Sequence, residues 1–157
     1  MNSFLKILFL LSLVMVIITS PVSANTLVIK KVHDGNTIEC EGGFKAHISG
    51  VKTPDLEEKL GQEVFEFTKQ ELEGKLIVAF TYTLNNNADG IVYDKDGYAF
   101  MKIMYGDDRS VDFGALLLQK GYAMVDKRFP IDDLDKYLEI EKEAKEKKVG
   151  IWGCTEK

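Results

Sequence analysis

The chain has 157 residues, 45% hydrophobic and 29% charged, with a formal net charge of −5 at pH 7. That length fits one domain around one core, and no internal repeat, linker or low-complexity segment argues for a second. Nucleic-acid binders usually present a basic face, so the acidic balance counts against such a partner unless a local basic patch survives within it.

Residues 1–24 combine a positive charge at Lys6, an apolar run from Ile7 to Ile18 and the small residues of Val22-Ser23-Ala24. This pattern predicts a cleaved secretory signal. The apolar run has 12 residues, short of the roughly 20 that a spanning helix needs. The expectation is export to a periplasm or the medium, with no stable membrane span once the signal is removed. What remains, residues 25–157, carries 19 basic against 25 acidic side chains, a formal charge of −6.

Cys40 and Cys154 survive in a compartment where disulfides persist. A bridge between them would close a very long loop and stabilise by about 4–5 kcal/mol. The alternative is a buried Cys40 acting as a small hydrophobe with a free Cys154, and the sequence leaves both open. With only His33 and His47 beside them, the two cysteines give no zinc spacing.

From Thr26 the chain reads as a strand in which Leu27, Ile29 and Lys31 alternate with Val28, Lys30 and Val32. Asp34-Gly35-Asn36 turns it into a second strand at Thr37–Cys40, and Gly42-Gly43 into a third at Phe44–Val51. After Pro54 a helix is expected from about Glu57–Leu60, with Leu60, Val64, Phe65, Thr68 and Leu72 on its apolar face and Gly74 at its end. Lys75–Leu84 is rich in strand formers, and the cluster from Asn85 to Gly90 is a turn. Ile91–Tyr93 and Ala99–Tyr105 then read as a strand pair around the turn Asp94–Gly97. A short helix over Ser110–Lys120 is stopped by Gly121, and a last helix runs from about Asp132 to Lys148 with acids early and lysines late. Periodicity alone supports a small α+β or barrel fold.

Three segments sharpen this: Val32-His33-Asp34-Gly35-Asn36-Thr37-Ile38, His47-Ile48-Ser49-Gly50-Val51-Lys52-Thr53-Pro54-Asp55 and Tyr93-Asp94-Lys95-Asp96-Gly97-Tyr98-Ala99. In this order and at these intervals they resemble the staphylococcal nuclease (thermonuclease) family. The resemblance covers about Thr26 to Trp152 and takes further support from the stretches 114–123 and 143–152. It implies a five-stranded barrel of the oligonucleotide- and oligosaccharide-binding (OB) type with three helices, whose strands and loops commonly present ligand sites.

The same resemblance implies a site. Family members hydrolyse phosphodiesters with a calcium ion held by carboxylates, a group that positions water and two guanidiniums for the phosphate. These come from Asp-Gly-Asp-Thr, from an Arg four residues before Val-Asp-Thr-Pro-Glu and from an Arg just after a later Asp-x-x-Gly turn. Here Asn36 and Lys52 stand at the two calcium-binding aspartates, beside Asp34 and Thr53. Asp55 replaces the Glu, while His47 and Tyr98 replace the arginines. An amide brings no charge to calcium, and an ammonium at the other position opposes it. Neither imidazole nor phenol makes the bidentate contact of a guanidinium.

The leading expectation is therefore a nuclease-like barrel without calcium-dependent hydrolysis, needing no cofactor. It would act as a monomeric binding or accessory module for a protein or small ligand at the barrel cleft. In this reading Lys52 serves as counter-ion to Asp34 and Asp55. A second reading is a weak or altered nuclease using Asp55, His47 and Asn36; calcium enters only there. A rebuilt hydrolase would use His47 as a base oriented by Asp55, with Tyr98 donating to substrate. A third reading is a scaffold with no ligand at the old site. Lys95 matches a family lysine near the nucleotide phosphate, and Lys127, Arg128 and Phe129 fall where aromatic residues flank the nucleotide. As a nucleic-acid signal this is weak.

Overall fold

The computed structural model describes residues 25–81, 91–128, 131 and 133–153. The signal segment, the turn cluster 85–90, Phe129 and Cys154 lie outside them. Five strands close a barrel: β1 (Asn25–Val32), β2 (Thr37–Cys40), β3 (Lys45–Ile48), β5 (Leu76–Thr81) and β6 (Ala99–Tyr105). β1 pairs antiparallel with β2 and β5, β2 with β3, and β5 with β6. The barrel closes where β3 runs parallel to β6, in the register Ala46↔Ala99, His47↔Phe100 and Ile48↔Met101. This is the mixed five-stranded OB barrel that the motifs imply, with three α-helices: α1 (Gly61–Leu72), α2 (Phe113–Gln119) and α3 (Leu134–Glu146). No helix among the described residues is long and apolar enough to cross a membrane.

The barrel is filled by side chains from every wall. Ile29, Ile38, Ile48, Ile77, Met101 and Ile103 are buried inside it, and Phe113, Leu117 and Leu118 of α2 belong to the same core. Each such side chain contributes about 1.5–3 kcal/mol on leaving water. From α1, Val64, Thr68 and Leu72 are buried as their spacing predicts, and α2 ends just before Gly121, whose φ is +66°.

Four local expectations need correction. A bulge between Ile29 and Lys31 shifts the β1–β2 register, so Ile29 and Val32 are both buried and the simple alternation fails. The third strand is not continuous to Val51. Gly50, at φ +77°, turns the chain out of β3 into β4 (Val51–Lys52), which pairs instead with β8 (Met124–Val125). A side chain at Gly50 would also meet Tyr137 and Ile131 at 3.0–3.1 Å. Ile91–Tyr93 is no continuous strand: Tyr93 is bridged to Ala99, the Phe100 N–H donates to the Val92 carbonyl at 3.2 Å, and Ile91 forms an isolated bridge of its own. The last helix begins at Leu134, and Asp133 makes no side-chain cap because its carboxylate pairs with Lys102.

That half-exposed ion pair adjoins a buried network around Asp112 that fixes α3 to the barrel. β7 (Val111–Asp112) extends β6 and places Asp112 at the start of α2. Asp112 Oδ1 accepts from the Ala115 N–H at 3.2 Å and from the Tyr137 hydroxyl at 2.8 Å. Its other oxygen lies 3.4 Å from Lys102 Nζ. The Lys102 ammonium is the first cause holding the Asp133 carboxyl below its ordinary value.

Candidate functional site

The three motif segments converge on one open cleft of about 760 Å³. Asp34, Asn36, His47, Lys52, Thr53, Asp55 and Lys95 all line it. Two features of the fold bring them together. The parallel β3–β6 seam sets His47 beside the turn that precedes β6. Gly35 lets the β1–β2 turn press against the Thr53 loop and α1, where an added Cβ would sit 2.7 Å from Thr53 Oγ1 and 2.8 Å from Val64 Cγ1. The Gly35 carbonyl accepts from the buried Thr68 hydroxyl at 2.8 Å, locking that approach.

His47 is engaged at both ring nitrogens. Nδ1 lies 3.0 Å from Thr37 Oγ1 and Nε2 lies 3.1 Å from Asp94 Oδ2. An ionised carboxylate only accepts, so Nε2 carries a proton; the Thr37 hydroxyl can donate to Nδ1 of the neutral ring or accept from the imidazolium. The Tyr98 ring stacks on His47 at 5.1 Å between centroids, 17° from parallel, and Lys45 Nζ lies 5.5 Å from the Tyr98 ring centroid. Asp94, not Asp55, therefore orients His47, and neither ring nitrogen is left for a base. Asp94 Oδ1 also accepts from the N–H groups of Asp96 and Tyr98, at 2.9 and 2.8 Å. Burial works against its ionisation, but the Tyr98 N–H and His47 outweigh it and hold the carboxyl below its ordinary value.

The residues at the family's calcium positions are engaged in other ways. Asn36 donates from Nδ2 to the Val51 carbonyl at 3.0 Å, tying the β1–β2 turn to β4. An aspartate there has no hydrogen to give. Asp34 Oδ1 accepts from the Asn36 N–H at 2.9 Å. Lys52 is exposed and, among the described residues, forms no ion pair with Asp34 or Asp55, which corrects the expected counter-ion role. Its charge instead contributes to lowering the Asp126 carboxyl, after the larger effect of Arg128. No group of three or more His, Cys, Asp or Glu among the described residues is placed to hold a metal. Asn36 brings no charge and Lys52 brings an ammonium to the same cleft, so these residues do not fit calcium.

Two cleft residues, Asp94 and Asp126, carry no signal in the sequence beyond a turn, and Arg128 stands out there only as a basic neighbour of Phe129. Asp126 and Arg128 enter from the chain after β8, with Arg128 Nη2 2.6 Å and Nε 2.9–3.0 Å from the Asp126 carboxylate. Arg128 thus brings a guanidinium to the cleft with an anion already on it. Lys127 is exposed and is not part of the lining. Cys40 is a buried free thiol, pushed up to about 11 by burial.

A closed mixed barrel of five strands with three helices, carrying its polar cleft at the β3–β6 seam, defines a nuclease-type OB domain. Residues 45–154 match the family model described as staphylococcal nuclease homologue, and the chain belongs to that family. None of the curated proteins matches the chain.

Proposed function

We propose that this chain is an exported, monomeric, nuclease-like barrel that has lost calcium-dependent phosphodiester hydrolysis and acts as a binding or accessory module through its cleft. The observation that carries the reading is the closure of His47 between Thr37 and Asp94, at the position where the family presents a phosphate-binding guanidinium. Removing that guanidinium withdraws the bidentate donor that would oppose growing charge on phosphate. Lys52 and Asn36 support the same conclusion, since neither brings a carboxylate to a cation. The enzyme reading, a weak endonuclease, draws on Asp55, exposed in the cleft and in no ion pair among the described residues.

The test is calcium-dependent digestion of single-stranded DNA and RNA by the wild type and by the combined variant Asn36→Asp, His47→Arg, Lys52→Asp, Tyr98→Arg. Activity in the variant alone supports an inherited frame whose chemistry was lost by substitution. Calcium-dependent turnover by the wild type overturns the proposal.

A further inference from the structure

Among the described residues five large apolar side chains are exposed; two of them line the cleft and a third is the strand partner of a lining residue. Leu56, 40% exposed, and Tyr93, 37% exposed, line it, while Met124, 42% exposed, is paired across β4–β8 with the lining residue Lys52. Exposed apolar side chains clustered at the mouth of a polar cleft are the anatomy of a partner site, whereas scattered ones need no explanation.

The charges decide which partner. Asp94 is hydrogen-bonded by His47, and Asp126 is ion-paired with Arg128. The carboxylates of Asp34, Asp55 and Glu57 form no ion pair among the described residues, and neither do the ammoniums of Lys52 and Lys95. The three unpaired carboxylates outnumber the two unpaired ammoniums, so a phosphate chain would meet net like charge, as would a second copy of this acidic chain. A peptide meets all the requirements at once. Its basic side chains reach the carboxylates, its carbonyls accept from the lysines and its apolar side chains cover Leu56, Tyr93 and Met124.

We infer that the cleft docks an extended peptide segment of another protein in which Lys or Arg alternates with apolar residues. The inference rests on the reading of the cleft as a binding site; nucleic-acid digestion tests that reading and peptide binding tests this one, so either can fail alone.

Fluorescence anisotropy of the purified protein with a labelled (Lys-Leu)4 octapeptide gives the test, beside (Glu-Leu)4 and a labelled single-stranded DNA. Binding of the basic peptide alone is expected. The pair Asp55→Asn, Glu57→Gln should weaken it about five-fold, as loss of two exposed ion pairs implies. Leu56→Ala should weaken it as well. The charge-matched pair Glu139→Gln, Glu146→Gln on α3 should leave it unchanged. Equal losses from both pairs, no binding, or preference for the acidic peptide or the DNA would overturn the inference.

Discussion

His47 and Asp94 meet at 3.1 Å across the seam that closes the barrel, one on β3 and the other in the turn before β6. The contact spans 47 positions of sequence and uses the ring edge that faces the turn. It makes His47 a structural pin for that turn, because the same carboxylate holds the N–H groups of Asp96 and Tyr98. Replacing His47 by Ala removes two hydrogen bonds and the Tyr98 stack, and should cost about 1–3 kcal/mol by urea unfolding.

Stability should respond to acid through Asp94. Its carboxyl is held below its ordinary value of 3.8, so its contribution is fully present above the unfolded value and is lost as pH falls through the folded one. Unfolding free energy should therefore fall as pH drops below about 4, the unfolded carboxyl's range. Asp94→Asn should flatten part of that fall while lowering stability at pH 7.

Asn36→Asp alone should destabilise rather than restore a calcium site. The change removes the donor to the Val51 carbonyl and sets a carboxylate against it, at a cost of about 1–2 kcal/mol. Thermal melts with and without calcium check this: a lower melting temperature that calcium does not rescue is expected, and calcium-dependent recovery would contradict it.

Asp34, Asn36, His47, Lys52, Thr53, Asp55 and Lys95, drawn from three separate motifs, line one cleft, because the family's frame fixes which loops converge. What each side chain does there was less legible. The Asp94 partnership depends on a parallel seam that no local pattern announces. Lys52 carries a charge that invites pairing with Asp34 and Asp55, yet β4 pairs with β8 after the Gly50 turn, and the side chain projects into solvent beside Met124. Ile91–Tyr93 has strand composition, but a turn so close to β6 leaves it isolated bridges in place of a continuous ladder.

The α3 anchor is the most sensitive point away from the cleft. Asp112 is buried and serves Tyr137, Ala115 and Lys102 together. Asp112→Ala strands the Lys102 ammonium on that side and uncaps α2, and should cost about 3–5 kcal/mol. Tyr137→Phe, which removes one hydroxyl, should cost about 1 kcal/mol. Chemical denaturation that ranks the two variants the other way would refute this account of the anchor.

The most direct measurement is the rate at which the wild-type protein cleaves single-stranded DNA with calcium and with a chelator. A ratio of about one is expected, because Asn36, Lys52, His47 and Tyr98 stand where the family carries its calcium ligands and phosphate-binding guanidiniums, and the Arg128 guanidinium is held by Asp126. A calcium-dependent increase of about ten-fold or more, abolished by Asp55→Asn, would contradict it.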